Sequence, residues 1–183
     1  MPRNKTIEVQ NIKVAITSFN EEDYICLTDM AQAKLDASRA ADVIKNWIRT
    51  RTTFLGTWEK IYNPNFKVVE FDHFKSQAGL PAFVLSPSQW VEKTNATGIF
   101  SKAGRYGGTY AHKDIAFEFG SAISAKFKRY LIKEFQRLKE KESDRLKLEW
   151  NLQQASAKVS YSMHTDAIKV SESEFAELKN GLN

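Results

Sequence analysis

Two stretches of this chain combine residue types and spacing that could do chemistry. The first is Lys45-Asn46-Trp47-Ile48-Arg49-Thr50-Arg51-Thr52-Thr53. Lys45, Arg49 and Arg51, with the threonines, offer donors suited to phosphates or to base edges. A merely solvated helix face would carry the same residues. The second is Gly98 to Thr109, where glycines surround Lys102 and Arg105, with Lys93 and Lys113 at the flanks. Glycine lets the backbone turn tightly and approach a surface closely. No acidic residue occurs from Lys93 to Lys113, which suits the phosphate backbone of DNA. A solvated hairpin tip is the competing reading.

Other chemistries lack their residues. A phosphate loop needs four residues between its glycines and then Gly-Lys-Ser/Thr. Here five residues separate Gly98 from Gly104, and Arg105-Tyr106 comes next. His73, His112 and His164 are far apart, so no pair has metal-ligand spacing. Cys26 sits in an apolar segment and reads as a buried, inert thiol. Carboxylates are scattered through charge-balanced segments, without an acid/base pair. The expectation is a protein with no catalytic residues, no metal and no cofactor.

Composition narrows the class. The 183 residues are 42% hydrophobic, enough for a real core, and a single Cys favours a reducing compartment. No window approaches the roughly 18 apolar residues of a membrane span, and Met1 to Thr6 lacks the apolar stretch of a signal peptide. A cytoplasmic location is expected. The net charge of +5 is moderate, and its position says more. Residues 1–77 are near neutral. Residues 78–113 hold Lys93, Lys102, Arg105 and Lys113 against Glu92 alone, and residues 144–183 are slightly acidic.

Elements must position these groups. Val9, Ile12, Val14 and Ile16 come close to alternating, which predicts a strand within 7–19. After the turn Asn20 to Asp23, Tyr24 to Leu27 reads as a second strand able to form a hairpin with it. Thr28 reads as a helix N-cap with Asp29 in the first turn, opening a helix to about Leu35. Val43, Ile44, Trp47 and Ile48 share one face of a helix over 40–49. Thr53 reads as a new cap, leading into a stripe of Phe54, Leu55, Trp58 and Ile61 that Asn63-Pro64 stops. Trp47, Trp58 and Trp90 read as core. Lys67 to Phe71 reads as a short strand. Ser86-Pro87 is a helix start. Four glycines within Gly98 to Gly108 mark a loop or hairpin tip. Thr109 to Ala111 reads as a strand, Lys113 to Phe119 as a helix, and Ser124 as the cap of a last helix bearing Phe127, Leu131, Phe135 and Leu138.

Several of these segments together resemble a known family. Gly107-Gly108-Thr109-Tyr110-Ala111-His112-Lys113-Asp114-Ile115-Ala116-Phe117-Glu118-Phe119 is similar to the hallmark of the KilA-N domain. So are Ile123-Ser124 through Phe127, and Tyr130 to Leu138. Leu27-Thr28-Asp29-Met30-Ala31 and Asn46-Trp47-Ile48-Arg49 match its other landmarks, in the expected order over about residues 7–140. Met163 to Ile168 also resembles the segment after the domain in some relatives. The resemblance implies a DNA-binding module of phages, large DNA viruses and mobile bacterial elements, similar to fungal APSES domains. It implies a winged-helix-like α+β fold, with the glycine loop as wing and a helix near residues 40–62 as reading element. Lys113 departs from the family, which often has proline there. By the same resemblance His112 packs or hydrogen-bonds at the turn into the helix, and Asp114 serves its first turn.

The expected organisation is a DNA-binding domain over 1–142 and a helical extension over 143–183. Lys45, Arg49, Arg51, Lys93, Lys102, Arg105 and Lys113 are the expected contacts to double-stranded DNA. The alternative is an antirepressor or other protein-interaction module. For it, Leu146, Leu148, Trp150 and Leu152 would offer a partner or self-association surface.

Overall fold

The computed structural model describes residues 5–33, 39–80, 82–103 and 107–180. The chain divides into two compact units, Met1–Gln136 and Arg137–Asn183. The first unit is α+β.

The amino-terminal segment contains three strands, not two: β1 (Lys5–Val9), β2 (Ile12–Phe19) and β3 (Glu22–Cys26). Two-residue turns join them. Gln10 and Asn11 have φ of 51° and 64°, Asn20 and Glu21 of 50° and 65°. Left-handed conformation at both central residues is the hairpin turn that matches strand twist. Neither turn contains glycine, so the first is invisible inside an otherwise continuous apolar pattern.

Five helices come after the strands: α1 (Leu27–Ala31), α2 (Ala40–Thr50), α3 (Thr52–Tyr62), α4 (Val68–Gln77) and α5 (Pro87–Thr94). Next come the hairpin β4 (Ile99–Lys102) and β5 (Gly108–His112), then α6 (Lys113–Ile123) and α7 (Ala125–Asn180). The sheet is antiparallel, in the order β1-β2-β3-β5-β4. The glycine-loop hairpin therefore continues the amino-terminal meander. Register aligns Ile16, Ile25, Ala111 and Ile99 across four strands, all within 1% of full burial. This row is the floor of the core. Trp90, Phe119, Phe127, Leu27 and Met30 are fully buried with it, and Trp47 and Trp58 are core as expected. The alternate positions Tyr24, Cys26 and Tyr110 form a second cluster with Phe100. Burial pushes the Cys26 thiol up to about 12, consistent with an inert cysteine.

Four local expectations are corrected. Thr28 does not cap α1; its Oγ1 accepts the Thr109 N–H at 3.0 Å. Its neighbour Asp29 accepts the Ala15 N–H at 2.9 Å, so the start of α1 holds strands rather than its own first turn. Thr53 does not cap α3, which begins at Thr52 after a single intervening residue. Thr52 Oγ1 instead donates to the carbonyls of Ile48 and Arg49, two of the orphan acceptors that end α2. Ile61 faces solvent, and the buried side of α3 is Leu55, Gly56, Trp58 and Glu59. Lys67 to Phe71 is not a strand, because α4 begins at Val68. Val68 and Val69 lie exposed at its start, while Phe71 packs on Phe66 and Trp90. Tertiary packing of the aromatic outweighs the β-propensity of the valines.

Other start and stop signals hold. Ser86 Oγ accepts the Gln89 N–H, and Gln89 Oε1 accepts the Ser86 N–H, a complete capping box. Ser124 Oγ accepts the Phe127 N–H at 3.0 Å.

Candidate nucleic-acid interface

The candidate interface starts from α2. Ile44, Trp47 and Ile48 point inward, and Trp47 meets the Phe119 ring edge-on at 5.2 Å. That anchoring leaves Asp42, Lys45, Asn46 and Arg49 on the outer side. There they line a cleft of about 210 Å³ with Phe83 and Val84. Arg49 donates to Asn46 Oδ1 at 3.1 Å, and Lys45 lies 3.9 Å from Asp42. Both contacts are on the surface, where such pairs hold side chains only weakly. An Arg and an Asn one turn apart on an exposed helix face are the side chains best matched to guanine and adenine edges.

The wing is built from its root. Glu59 of α3 is buried, with 1% of its surface exposed. Its carboxylate accepts the Thr97 N–H at 3.1 and 3.0 Å, the Gly98 N–H at 2.7 Å and the Asn63 amide at 2.9 Å. Gly98 is enclosed: a Cβ there would sit 2.5 Å from Ile115 and 2.7 Å from Trp58. Its carbonyl accepts the His112 N–H at 2.8 Å. The buried carboxylate thus fixes the entry to β4, and register then pairs Ser101 with Thr109 and Lys102 with Gly108. Lys102 is exposed at the end of the paired strands. Arg105 lies outside the described residues.

His112 closes the other end of the wing. Its Nδ1 lies 3.4 Å from Asp114 N and its Nε2 3.1 Å from Glu22 Oε2, with Trp58 packed on the ring at 4.9 Å. The residue caps α6 with its side chain, as the resemblance implies, and Asp114 occupies the first turn.

The structure does not treat the seven candidate cations alike. It brings Lys45 and Arg49 into one cleft. Lys93 is exposed in the last turn of α5, a helix that contacts both α2 and β4. Arg51 turns toward α6, 3.7 Å from Glu118. Lys113 is paired with Glu22. That hydrogen bond, helped by His112, holds the Glu22 carboxyl below its usual range. Among the described residues Lys93 and Lys102 have no acidic partner.

A family model, the KilA-N domain, matches residues 7–141. The chain belongs to the KilA-N domain family. This family is generally DNA-binding, and the KilA-N match covers all the elements that build the α2 cleft and the wing. No curated protein and no solved structure matches the chain.

Sequence reasoning missed Glu59, a single carboxylate in a mixed segment with no local sign that it is buried. It also did not select Asn46, which lines the same cleft as Lys45 and Arg49 and accepts a hydrogen bond from Arg49. No helix among the described residues is long and apolar enough to cross a membrane.

Proposed function

We propose that this KilA-N protein binds double-stranded DNA, with α2 as the reading element and the β4–β5 hairpin as wing. We further propose that it acts as a cytoplasmic transcriptional regulator of phage or mobile-element origin. The observation that carries the binding mode is the outward Lys45-Asn46-Arg49 face of α2. Its inner side is locked into the core, so the polar groups are presented rigidly. Lys93, Lys102 and Arg105 add charge near or on the wing. Arg49 and Asn46 would meet base edges, while the lysines and Arg105 would meet phosphates and set position rather than sequence.

Selection of bound duplexes from a random pool supplies the probe, and fluorescence anisotropy the affinity. Arg49→Ala is expected to cost about 1–3 kcal/mol on the selected site and to relax preference at one position. Lys102→Ala should weaken all sequences alike and lower the salt slope by about 1. An Arg49→Ala protein with unchanged affinity and preference would move the reading element elsewhere. The proposal assigns no catalytic step; cleavage of DNA in the presence of Mg²⁺ would overturn that part.

A second reading, a protein-interaction role such as an antirepressor, is favoured by the second unit. Leu146, Leu148, Trp150 and Leu152 are each about 60% exposed, an apolar burden that suits a partner or self-association. Deleting residues 143–183 separates the readings. DNA binding that survives, together with loss of a dimer or partner complex, assigns the tail to assembly. A monomer before and after removes self-association.

A further inference from the structure

We propose that the basic outer face at the start of α7 is a second DNA contact, gripping the phosphate backbone without regard to base sequence. The inference rests on the DNA-binding reading above and adds a surface that it does not use.

The face is set by helical periodicity. Phe127, Leu131 and Phe135 are buried, which fixes the inward side of α7. Lys126, Arg129, Tyr130 and Lys133 then fall together on the outer side and border a depression of about 440 Å³. Among the described residues Lys126, Arg129 and Lys133 have no acidic partner. Lys128 makes the contrast: it lies on the α6 side of the same turn, 3.7 Å from Glu118. Across the domain, Lys113, Arg51, Lys45 and Lys128 each face a carboxylate. Among the described residues, the outer face at the start of α7, from Lys126 to Lys133, keeps its charge uncompensated.

That charge also works against the helix. The first turn of α7 contains no acidic residue, and cations at a helix N-terminus oppose its macrodipole. The cost falls away when an anion lies against the face, because the same dipole and cations then attract it. From Lys126 to Lys133 the helix rises about 10 Å, the axial extent of about three phosphates on one DNA strand. Tyr130, 43% exposed between the cations, adds a hydroxyl for a phosphate oxygen. A membrane surface fits less well. Interfacial helices insert an apolar face, and the apolar face of this turn is already buried in the core.

The test compares the full-length protein with K126A/R129A/K133A on a random-sequence duplex, by anisotropy between 50 and 200 mM salt. Three lost phosphate contacts should reduce the magnitude of the log–log slope by about 2.7, so the variant loses about 40-fold less affinity over that range. Each single replacement should lower it by about 0.9, which keeps the test valid should the triple variant fold poorly. Lys128→Ala should leave the slope unchanged. If the unaltered protein shows no salt-sensitive binding, the DNA reading itself falls, and this inference with it. If it binds and the single and triple variants keep its slope, only the α7 contact is overturned, and an acidic protein becomes the fitting partner for the face. A Lys128→Ala effect as large as the others would also overturn the assignment to this face.

Discussion

Glu59 is the residue on which the wing geometry depends most. Its carboxylate accepts hydrogen bonds from Thr97, Gly98 and Asn63 without access to water. Hydrogen bonds to an ionised group are the stronger kind, and a buried donor left without an acceptor carries the full desolvation cost. Glu59→Gln sets an amide against those N–H groups. It should destabilise the domain by about 3 kcal/mol, read as a lower denaturant midpoint at constant m-value. A loss under about 0.5 kcal/mol would show that the turn is held by its packing alone. Cys26 gives a pH prediction. Burial raises its folded-state pKa to about 12 from the ordinary thiol value of 9.0. The neutral thiol is thus favoured by folding, and its contribution is complete below the unfolded pKa. Stability should fall as pH rises from about 9 toward 12. Tyr110, raised to about 12 by burial, adds to the same loss. In Cys26→Ser the thiol's part of this alkaline loss should be absent across denaturant midpoints measured from about pH 8 to 11. None of this is legible in the sequence beyond the expectation of a buried cysteine. The partners of Glu59 lie up to 39 residues away, and a lone carboxylate carries no local mark of its burial.

At the scale of elements, legibility tracks local chemistry. The Ser86-Pro87 helix start, the Ser124 cap and the glycine-marked hairpin are plain in the sequence, because each signal lies within a few residues of its effect. The first hairpin turn at Gln10-Asn11 escapes, because its left-handed pair lacks glycine and, unlike Asn20 to Asp23, no polar run marks it. The start of helix α4 reads wrongly as a strand because two valines favour one, while the deciding contact is made by Phe71 against a distant helix. That contact gives a prediction. A Cβ on Gly56 would lie 2.0 Å from the Phe71 ring, so α3 and α4 pack at glycine distance. Gly56→Ala should gain helix propensity yet lose about 1–3 kcal/mol net through overpacking. Gly56→Ala with Phe71→Leu should recover part of it. Stabilisation by the single change, seen in thermal unfolding, would show that the ring moves aside freely.

The whole molecule distributes charge more selectively than its sum reveals. The family resemblance and the α+β architecture can be read from ordered motifs, and the wing cations from a segment free of acids. The sequence does not show which cations are compensated. Arg51 and Glu118, or Lys113 and Glu22, meet only in the folded chain, and the basic row on α7 emerges only once its inner face is fixed. If the lysines and arginines on α2, α5, the wing and α7 contact DNA as proposed, the affinity should be dominated by counterion release. The most direct measurement is the affinity of the full-length protein for a duplex as a function of salt concentration. About four phosphate contacts from α2 and the wing region predict a log–log slope of about −3.6, steeper where α7 also engages. Affinity that is absent, or that stays flat across the salt range, would contradict DNA binding as the function of this KilA-N protein.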